Sequence, residues 1–209
     1  MLLTVVRHGR TAWNDAGRFQ GQTDIPLDAE GRAQARRLGE RLGERRYDAA
    51  FSSDLARARE TAEAILGDRA ASLVLDPRWR EMRFGAWEGL TWQQIEARYP
   101  DVRAEHAVRP RFYSPAGGET FDELCSRVAS AVEDLRRAGS HASRVLVVTH
   151  AGPLHALLRV ALGEERSDAL GVRFSPASVT RLRWDVARWE LDALNETWEA
   201  ATEYPDERK

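Results

Sequence analysis

Residues 2–9, Leu-Leu-Thr-Val-Val-Arg-His-Gly, decide the fold because they form a short apolar run that ends in a histidine. The run from Leu2 to Val6 is typical of a buried strand, and His8 follows it. A second apolar run, Arg144–Thr149, leads in the same way into His150. Each imidazole therefore stands at the carboxyl end of a predicted strand. Each is also followed within two residues by a glycine, which lets the backbone turn sharply and lets a ligand approach closely.

Strands and helices alternate along the remainder of the chain. Further strands are predicted at 47–51, 73–75, 179–184 and 188–194, and helices are predicted to begin at Asp28, at Ser53 or Asp54, at Thr91, at Glu119 and at Pro153. This alternation predicts the α/β class, with a three-layer α/β/α sandwich around a mostly parallel mixed sheet. Ligands of such sheets bind beyond the carboxyl ends of the strands, which is where the two histidines are expected.

We expect one catalytic domain over residues 1–195. The region 92–120 is rich in proline and glycine towards its end and is predicted to form a loop or lid that selects the substrate. Residues 196–209 are polar and are predicted to form a frayed tail. Nothing in the pattern indicates an oligomeric state.

The composition excludes several classes of protein. No apolar run approaches the roughly 18 residues that span a bilayer, so we expect a cytoplasmic chain with no membrane partner. The net charge of −2 gives no reason to expect a nucleic-acid partner. Cys125 is the single cysteine, which excludes an internal disulfide and a cysteine-cluster metal site. Lys209 is the single lysine, which excludes Schiff-base chemistry and a P-loop lysine within the folded body.

The two histidines are accompanied by arginines rather than carboxylates. His8 follows Arg7, whereas a metal site would favour neighbouring carboxylates and disfavour cations. Arg57 is expected in the first turn of a helix, where its charge opposes the helix dipole unless an anion binds there. A lone histidine at a strand end is usually structural, and a first-turn arginine is usually solvated. Two histidines at equivalent strand ends together with arginines favour an anion, most simply a phosphoryl group, and no metal.

Seven short motifs follow one another along residues 1 to about 185. They are Arg7-His8-Gly9 with Thr11 and Asn14, Gly21-x-x-Asp24-x-Pro26-Leu27, Gly31-x-x-Gln34-Ala35, Ser53-Asp54-Leu55-x-Arg57-Ala58-x-x-Thr61-Ala62, Glu81-x-x-Phe84-Gly85-x-Trp87-Glu88-Gly89, Gly118-Glu119-Thr120 and Val148-Thr149-His150-Ala151-Gly152. In this order they resemble the histidine phosphatase superfamily, whose namesake fold is that of the cofactor-dependent phosphoglycerate mutase.

The resemblance implies a role for each matching position. It implies that His8 is the nucleophile and forms a phosphohistidine, and that Glu81 is the proton donor. The positions that it assigns to binding the phosphoryl group and substrate are Arg7, Asn14, Gly21, Arg57 and His150. Physical chemistry agrees, because fixed cations stabilise the charge of a transferring phosphoryl group and a leaving alkoxide needs a general acid.

The first hypothesis is a metal-independent phosphomonoesterase that acts on small phosphorylated metabolites without a cofactor. The alternatives are a phosphoglycerate mutase that uses 2,3-bisphosphoglycerate, and a catalytically idle binder of phosphorylated ligands. The mutases of the family hold a second phosphate with a lysine and paired arginines. This chain has no lysine in the corresponding region, and Arg109-Pro-Arg111 is only a loose substitute, so a phosphatase is favoured.

Other polar and aromatic residues are predicted to be structural. Glu88 is expected to pair with a loop arginine, and His106, His141 and His155 are expected to be non-catalytic. The tryptophans at 87, 92, 184 and 189 are expected in the core.

Overall fold

The structure is a computed structural model that describes residues 1–102, 104, 114–138, 144–185 and 188–198. Four predictions lie outside these described residues. They concern His106, His141, the Arg109-Pro-Arg111 segment and the last residues of the tail, 199–209.

A mixed sheet of six strands forms the centre of the described structure, in the order β3-β2-β4-β1-β5-β6. The strands are β1 (Leu2–Arg7), β2 (Ala49–Ser52), β3 (Leu73–Leu75), β4 (Arg144–Thr149), β5 (Val179–Asp185) and β6 (Arg188–Glu196). The four strands β3, β2, β4 and β1 run parallel, whereas β5 is antiparallel to both β1 and β6. The predicted α/β fold with a mostly parallel mixed sheet is therefore confirmed.

Helices cover both faces of this sheet. They are α1 (Ala12–Asp15), α2 (Ala29–Leu42), α3 (Ala56–Leu66), α4 (Trp92–Arg98), α5 (Phe121–Ala138), α6 (Ala151–Leu162) and α7 (Glu164–Ala169), with short 3-10 turns at Gly67–Ser72, Pro77–Trp79 and Gly85–Trp87. Among these described helices, none combines the length and the apolar content that crossing a bilayer requires.

Two apolar clusters, one on each face, hold the layers together. Because successive strand residues point to opposite faces, Val5 and Val6 of β1 belong to different clusters. Val6 lies in one cluster with Leu38 of α2 and residues of α3, whereas Val5 lies in the other with Leu124 of α5 and Leu157 of α6. The buried strands are thus apolar on both sides, as parallel central strands require.

The start of α3 corrects one prediction. Neither Ser53 nor Asp54 is its N-cap, because the cap position is Leu55, which has no capping side chain of its own. Instead the carboxylate of Asp24 accepts a hydrogen bond from the Ala56 amide at 2.7 Å. A side chain distant in sequence thus accepts from a free amide at the start of the helix. The local sequence pattern does not reveal such a partner.

The other helix starts agree with the sequence to within two residues. Asp28 caps α2 and accepts from the Gly31 amide, and Thr91 begins α4 through a capping box. Helices α5 and α6 begin at Phe121 and Ala151, two residues from the predicted starts in each case.

The register of the central strands positions the two histidines. Arg7 of β1 pairs with Thr149 of β4 in the parallel ladder, so that the next residue of each strand emerges at the same edge of the sheet. The His8 amide donates to the Thr149 carbonyl at 2.9 Å, which extends the pairing to the point where the chains diverge.

Candidate active site

His8 and His150 face each other at the carboxyl edge of the sheet. Their ring centroids are 5.0 Å apart and the planes are inclined by 60°. Both residues are almost completely buried. Because the ladder fixes their backbones, both imidazoles are held in place before any ligand binds.

The tautomer of His8 is set by its neighbour. Its Nδ1 lies 2.7 Å from the Gly9 carbonyl oxygen, and a carbonyl can only accept, so Nδ1 carries the proton. In the neutral ring the lone pair is therefore on Nε2. Burial lowers the pKa of His8 well below the ordinary histidine value, and the charges of Arg57 and Arg7 lower it further. The ring is thus neutral at pH 7, with a free electron pair on Nε2.

His150 is held in the opposite tautomer. The guanidinium of Arg57 donates from Nε to His150 Nδ1 at 3.2 Å, so Nδ1 is unprotonated. The remaining ring nitrogen, Nε2, donates to the Ser53 hydroxyl oxygen at 2.8 Å. Burial and then the charge of Arg57 lower the pKa of His150 well below its ordinary value. Two neutral imidazoles therefore lie side by side without mutual repulsion.

Arg57 is a fully buried cation at the start of α3. Its two terminal nitrogens donate to the backbone carbonyls of Thr23 and Gly21 at 2.9 and 2.7 Å. Burial lowers its pKa to about 10, which still leaves it charged at neutral pH. Three of its five N–H donors are occupied within the described residues, and the side chain lines a cavity at this edge of the sheet.

Arg7 supplies a second cation from the end of β1. One terminal nitrogen donates to the Phe174 carbonyl at 2.5 Å. Its Nε is buried and has no hydrogen-bond partner in the described part of the chain. A buried guanidinium N–H without an acceptor is costly, and a bound anion would remove that cost.

Glu81 brings a carboxyl group into this cationic site. Its Oε1 accepts from the amides of Met82 and Gly152, at 2.8 and 2.9 Å. Its Oε2 has no hydrogen bond within the described residues. Burial raises the pKa of Glu81, and this effect exceeds the opposing influence of the two amides and of the arginines. Because Oε1 accepts two N–H groups, a proton on Glu81 resides on Oε2.

The loop that carries Glu81 is anchored by Arg127 of α5. Its five donors are all used: they reach the carbonyls of Arg78, Arg80 and Glu81 at 2.7–2.9 Å and both oxygens of Glu119 at 2.5 and 3.1 Å. The arginine and Glu119 are both largely buried. The position of Glu81 thus depends on one buried ion pair.

Gly21 and Asn14 are the two remaining residues that the resemblance assigns to substrate binding. Gly21 has a positive φ of 53°, and a Cβ there would overlap the Glu88 carboxylate, so no larger residue fits. The Gly21 carbonyl oxygen is one of the two that accept a hydrogen bond from Arg57. Asn14 lines the cavity, and its side-chain oxygen accepts from the amide and hydroxyl of Thr11 at 3.1 Å.

Glu88 is structural, but not through the predicted partner. Its carboxylate accepts from the backbone amides of Gln22, Thr23 and Phe84 at 3.0–3.1 Å and from the Thr23 hydroxyl at 2.5 Å. No arginine is bonded to it among the described residues. Glu88 thus supports the loop that presents Gly21 to Arg57.

A cavity of about 580 Å³ lies at this carboxyl edge of the sheet. His8, Arg7, Asn14, Arg57 and Glu81 line it, and His150 and Gly21 lie directly behind Arg57. The remaining lining comes from residues that the sequence reasoning did not select for the site: Gly17, Arg18, Phe19, Gln20, Met82, Phe84, Ala151, Gly152, His155, Val172, Arg173 and Phe174. The cavity is therefore much larger than a phosphoryl group.

Two residues that the sequence reasoning missed, Arg127 and Arg173, differ in whether a sequence signal could have identified them. Arg127 follows Leu124 by three residues and precedes Val128, so a cation stands inside an apolar helical stripe, which is a detectable signal. Arg173 lies in an irregular segment before β5, where no periodicity indicates its direction. Among the described residues, no three His, Cys, Asp or Glu side chains form a group that could hold a metal ion.

Comparison with known proteins agrees with the geometry. The model of the histidine phosphatase superfamily (branch 1) matches residues 3–197. The chain is 35% identical to a metal-independent phosphoserine phosphatase of Arabidopsis thaliana, over 90% of this chain and 80% of the relative. It is also 35% identical to phosphoglycerate mutase-like protein 4 of the same plant, over 93% and 87% of the two chains. The solved structure of a mycobacterial glucosyl-3-phosphoglycerate phosphatase with VO3 is similar, with a TM-score of 0.84, 33% identity and coverage of 94% and 99%.

Proposed function

Because this chain belongs to the histidine phosphatase superfamily, we propose that it hydrolyses small phosphate monoesters through a phosphohistidine formed on His8. It is a phosphoric monoester hydrolase of that superfamily. The observation that carries the proposal is the hydrogen bond between His8 Nδ1 and the Gly9 carbonyl. It leaves the Nε2 lone pair available in a cavity whose lining includes the buried Arg57 and the partly buried Arg7.

In the first step, His8 Nε2 attacks the phosphorus atom and the bond to the alcohol oxygen breaks. The substrate's phosphoryl oxygens are bound by the free donors of Arg7 and Arg57, with Asn14 beside them. Fixed cations stabilise the negative charge of the transferring group without reorganisation during the reaction. Glu81 gives its Oε2 proton to the departing oxygen, so that an alcohol leaves rather than an alkoxide.

In the second step, water attacks the phosphohistidine. Glu81, now a carboxylate, accepts a proton from the water, and the bond between Nε2 and phosphorus breaks. Inorganic phosphate forms, His8 regains its lone pair, and Glu81 is protonated again. His150 remains neutral next to the phosphoryl group because Arg57 donates to its Nδ1.

Arginines provide the positive charge that divalent metals provide in many phosphatases. The four arginines that line the cavity support a metal-independent reaction without an added cofactor. One relative is named a metal-independent phosphoserine phosphatase, which agrees with this proposal.

The mutase alternative remains because of the relative named phosphoglycerate mutase-like. A mutase returns the phosphoryl group to a second hydroxyl of the substrate instead of to water. The only lysine is Lys209, so the lysine with which the family's mutases hold a second phosphate is missing. This absence favours hydrolysis.

A panel of phosphate monoesters, assayed with and without a 2,3-bisphosphoglycerate primer, tests the proposal. We expect phosphate release without the primer and no significant interconversion of phosphoglycerates. His8→Ala should remove turnover while circular dichroism shows an intact fold. Rapid quenching of the wild-type enzyme should trap an acid-labile phosphoryl group on His8. Primer-dependent isomerisation with negligible hydrolysis would instead identify a mutase.

A further inference from the structure

The positive charges of the cavity exceed what one phosphoryl group neutralises. Among the described residues, Arg7, Arg18, Arg57 and Arg173 line it, and Glu81 is the only carboxyl group in the lining. In the proposed reaction, a phosphoryl dianion lies between Arg7 and Arg57 next to His8. Two cations then remain uncompensated in the outer part of the cleft, where the alcohol portion of the substrate must lie.

The backbone around Arg173 is firmly held. The Asn195 side chain donates to the Arg173 carbonyl at 3.1 Å and accepts from the Ser175 amide at 2.8 Å. Between these two bonds lies Phe174, which is buried and accepts from Arg7. This segment therefore has a defined path, and it presents the Arg173 side chain at the edge of the cleft rather than elsewhere on the surface.

Among the described residues, Arg173 differs from Arg18 and Arg159 in having no acceptor for its guanidinium. Within the described residues, no hydrogen bond or ion pair engages its guanidinium. Arg18, in contrast, donates to the Gly89 carbonyl. Arg159 lies near the cleft on α6 but is paired with Glu164 at 2.8 Å and with Asp168 at 3.9 Å. The charge of Arg173 is thus available to a ligand.

His155 lies on the same wall, one turn after the start of α6. Its ring packs edge-to-face against Phe174, with centroids 4.9 Å apart. Burial and the charge of Arg7 lower the pKa of His155, so it is a neutral ring with an N–H to donate. A cation and a neutral donor on one wall match an acidic group of a ligand.

We propose that Arg173 and His155 form a second anion subsite, which selects phosphate monoesters whose alcohol portion carries a carboxylate or another acidic group. The proposal rests on the proposed function, because it requires the ester phosphorus to lie at His8. It assigns the selection of the alcohol to the wall formed by α6 and the segment before β5.

A pair of matched substrates tests this subsite. 3-Phosphooxypropionate and 3-phosphooxypropanamide have the same skeleton and differ in a carboxylate against a neutral amide. Charged hydrogen bonds contribute about 1.5–3 kcal/mol, so we expect the wild-type kcat/KM to favour the carboxylate by about tenfold or more at 0.15 M salt. Equal kcat/KM values for the two esters would overturn the proposal.

Variants of Arg173 test whether this residue causes the preference for the carboxylate ester. Arg173→Gln should reduce the ratio of the two kcat/KM values to below about threefold, and Arg173→Lys should give an intermediate ratio because it keeps the charge but loses the planar fork. Arg166→Gln is the matched control, since it removes the same charge from an exposed position on α7 outside this cavity. The subsite would be rejected if Arg173→Gln lowered kcat/KM equally for both esters. It would also be rejected if Arg166→Gln lowered the ratio of the two kcat/KM values as much as Arg173→Gln does.

Two further measurements separate the possible outcomes. The bisphosphate of 1,3-propanediol replaces the carboxylate with a phosphate. If the kcat/KM of this bisphosphate exceeds that of the carboxylate ester, and the difference disappears in Arg173→Gln, the subsite exists and prefers phosphate. Hydrolysis of nitrophenyl phosphate tests the proposed function separately. Turnover that depends on His8 without any preference for acidic alcohols rejects only the subsite, whereas turnover that survives His8→Ala rejects the phosphohistidine mechanism itself.

Discussion

Replacing Arg127 with methionine should destabilise the protein and displace Glu81 at the same time. The substitution leaves the Glu119 carboxylate without its ion pair, although only 7% of that side chain is exposed. Removing one partner of a buried pair typically costs about 3–5 kcal/mol. The carbonyls of Arg78, Arg80 and Glu81 lose their donors as well. We therefore expect the free energy of unfolding to fall by about 3–5 kcal/mol.

Urea denaturation measures this loss, and two further variants interpret it. Arg137→Met lies on the same helix in an ion pair whose arginine is 74% exposed, and it should cost below about 1 kcal/mol. Adding Glu119→Gln to Arg127→Met removes the unpaired charge and should restore part of the stability. If Arg127→Met lowers the unfolding free energy by no more than Arg137→Met, the anchoring role of Arg127 is refuted.

The activity of Arg127→Met provides a second readout. If Glu81 is the proton donor, as proposed, its displacement makes proton donation less effective. Alkyl phosphates should then lose more kcat/KM than nitrophenyl phosphate, whose leaving group departs without a proton. A uniform loss on both substrates would indicate a general structural effect.

Three other predictions concern the proposed chemistry. Glu81→Gln should slow phosphorylation of His8 by an alkyl phosphate by roughly 10²–10⁴ and by nitrophenyl phosphate far less; equal losses in single-turnover kinetics would assign Glu81 a structural role. Activity should survive thorough chelation with EDTA, and a requirement for added magnesium would contradict catalysis by arginines alone. The pKa values of His8, His150 and His155 are lowered by burial. Below about pH 6.5, these histidines therefore bind protons in the unfolded chain but not in the native protein. The three histidines together should lower the unfolding free energy by up to about 4 kcal/mol per pH unit below pH 6.5. Glu81, whose pKa is raised, opposes this by at most one proton. An unfolding free energy that does not change between pH 7 and pH 5 would contradict the prediction.

The main strands and their histidines were predictable because the signals are local. An apolar run such as Leu2–Val6 indicates a buried strand by itself, and the edge at which ligands bind follows from the parallel topology. Hence His8 and His150 could be placed together although 142 positions separate them. The motif resemblance then predicted that Arg7, Arg57 and Glu81 would join them, and the structure places all three around the same cavity.

What the sequence did not predict depends on contacts between distant residues. The cap of α3 comes from Asp24, 32 residues before the amide that it receives. Asn195 holds the segment that carries Arg173, from 22 residues away. Arg127 reaches carbonyls 46–49 residues earlier. Tertiary packing determines such hydrogen-bond partners. Neither helical periodicity nor strand alternation specifies which distant group will form the hydrogen bond.

The position of β1 in the sheet has a consequence for how the chain folds. Both partners of β1 within the described structure, β4 and β5, lie after residue 143. During synthesis, β1 is therefore made before both of these partners and stays unpaired with them until residues 144 onward have emerged. Long-range parallel pairing of this kind closes a large loop and slows folding. An apolar strand exposed meanwhile is prone to aggregation or chaperone binding. His8, the proposed nucleophile at the end of β1, is consequently synthesised well before the strands that fix its position.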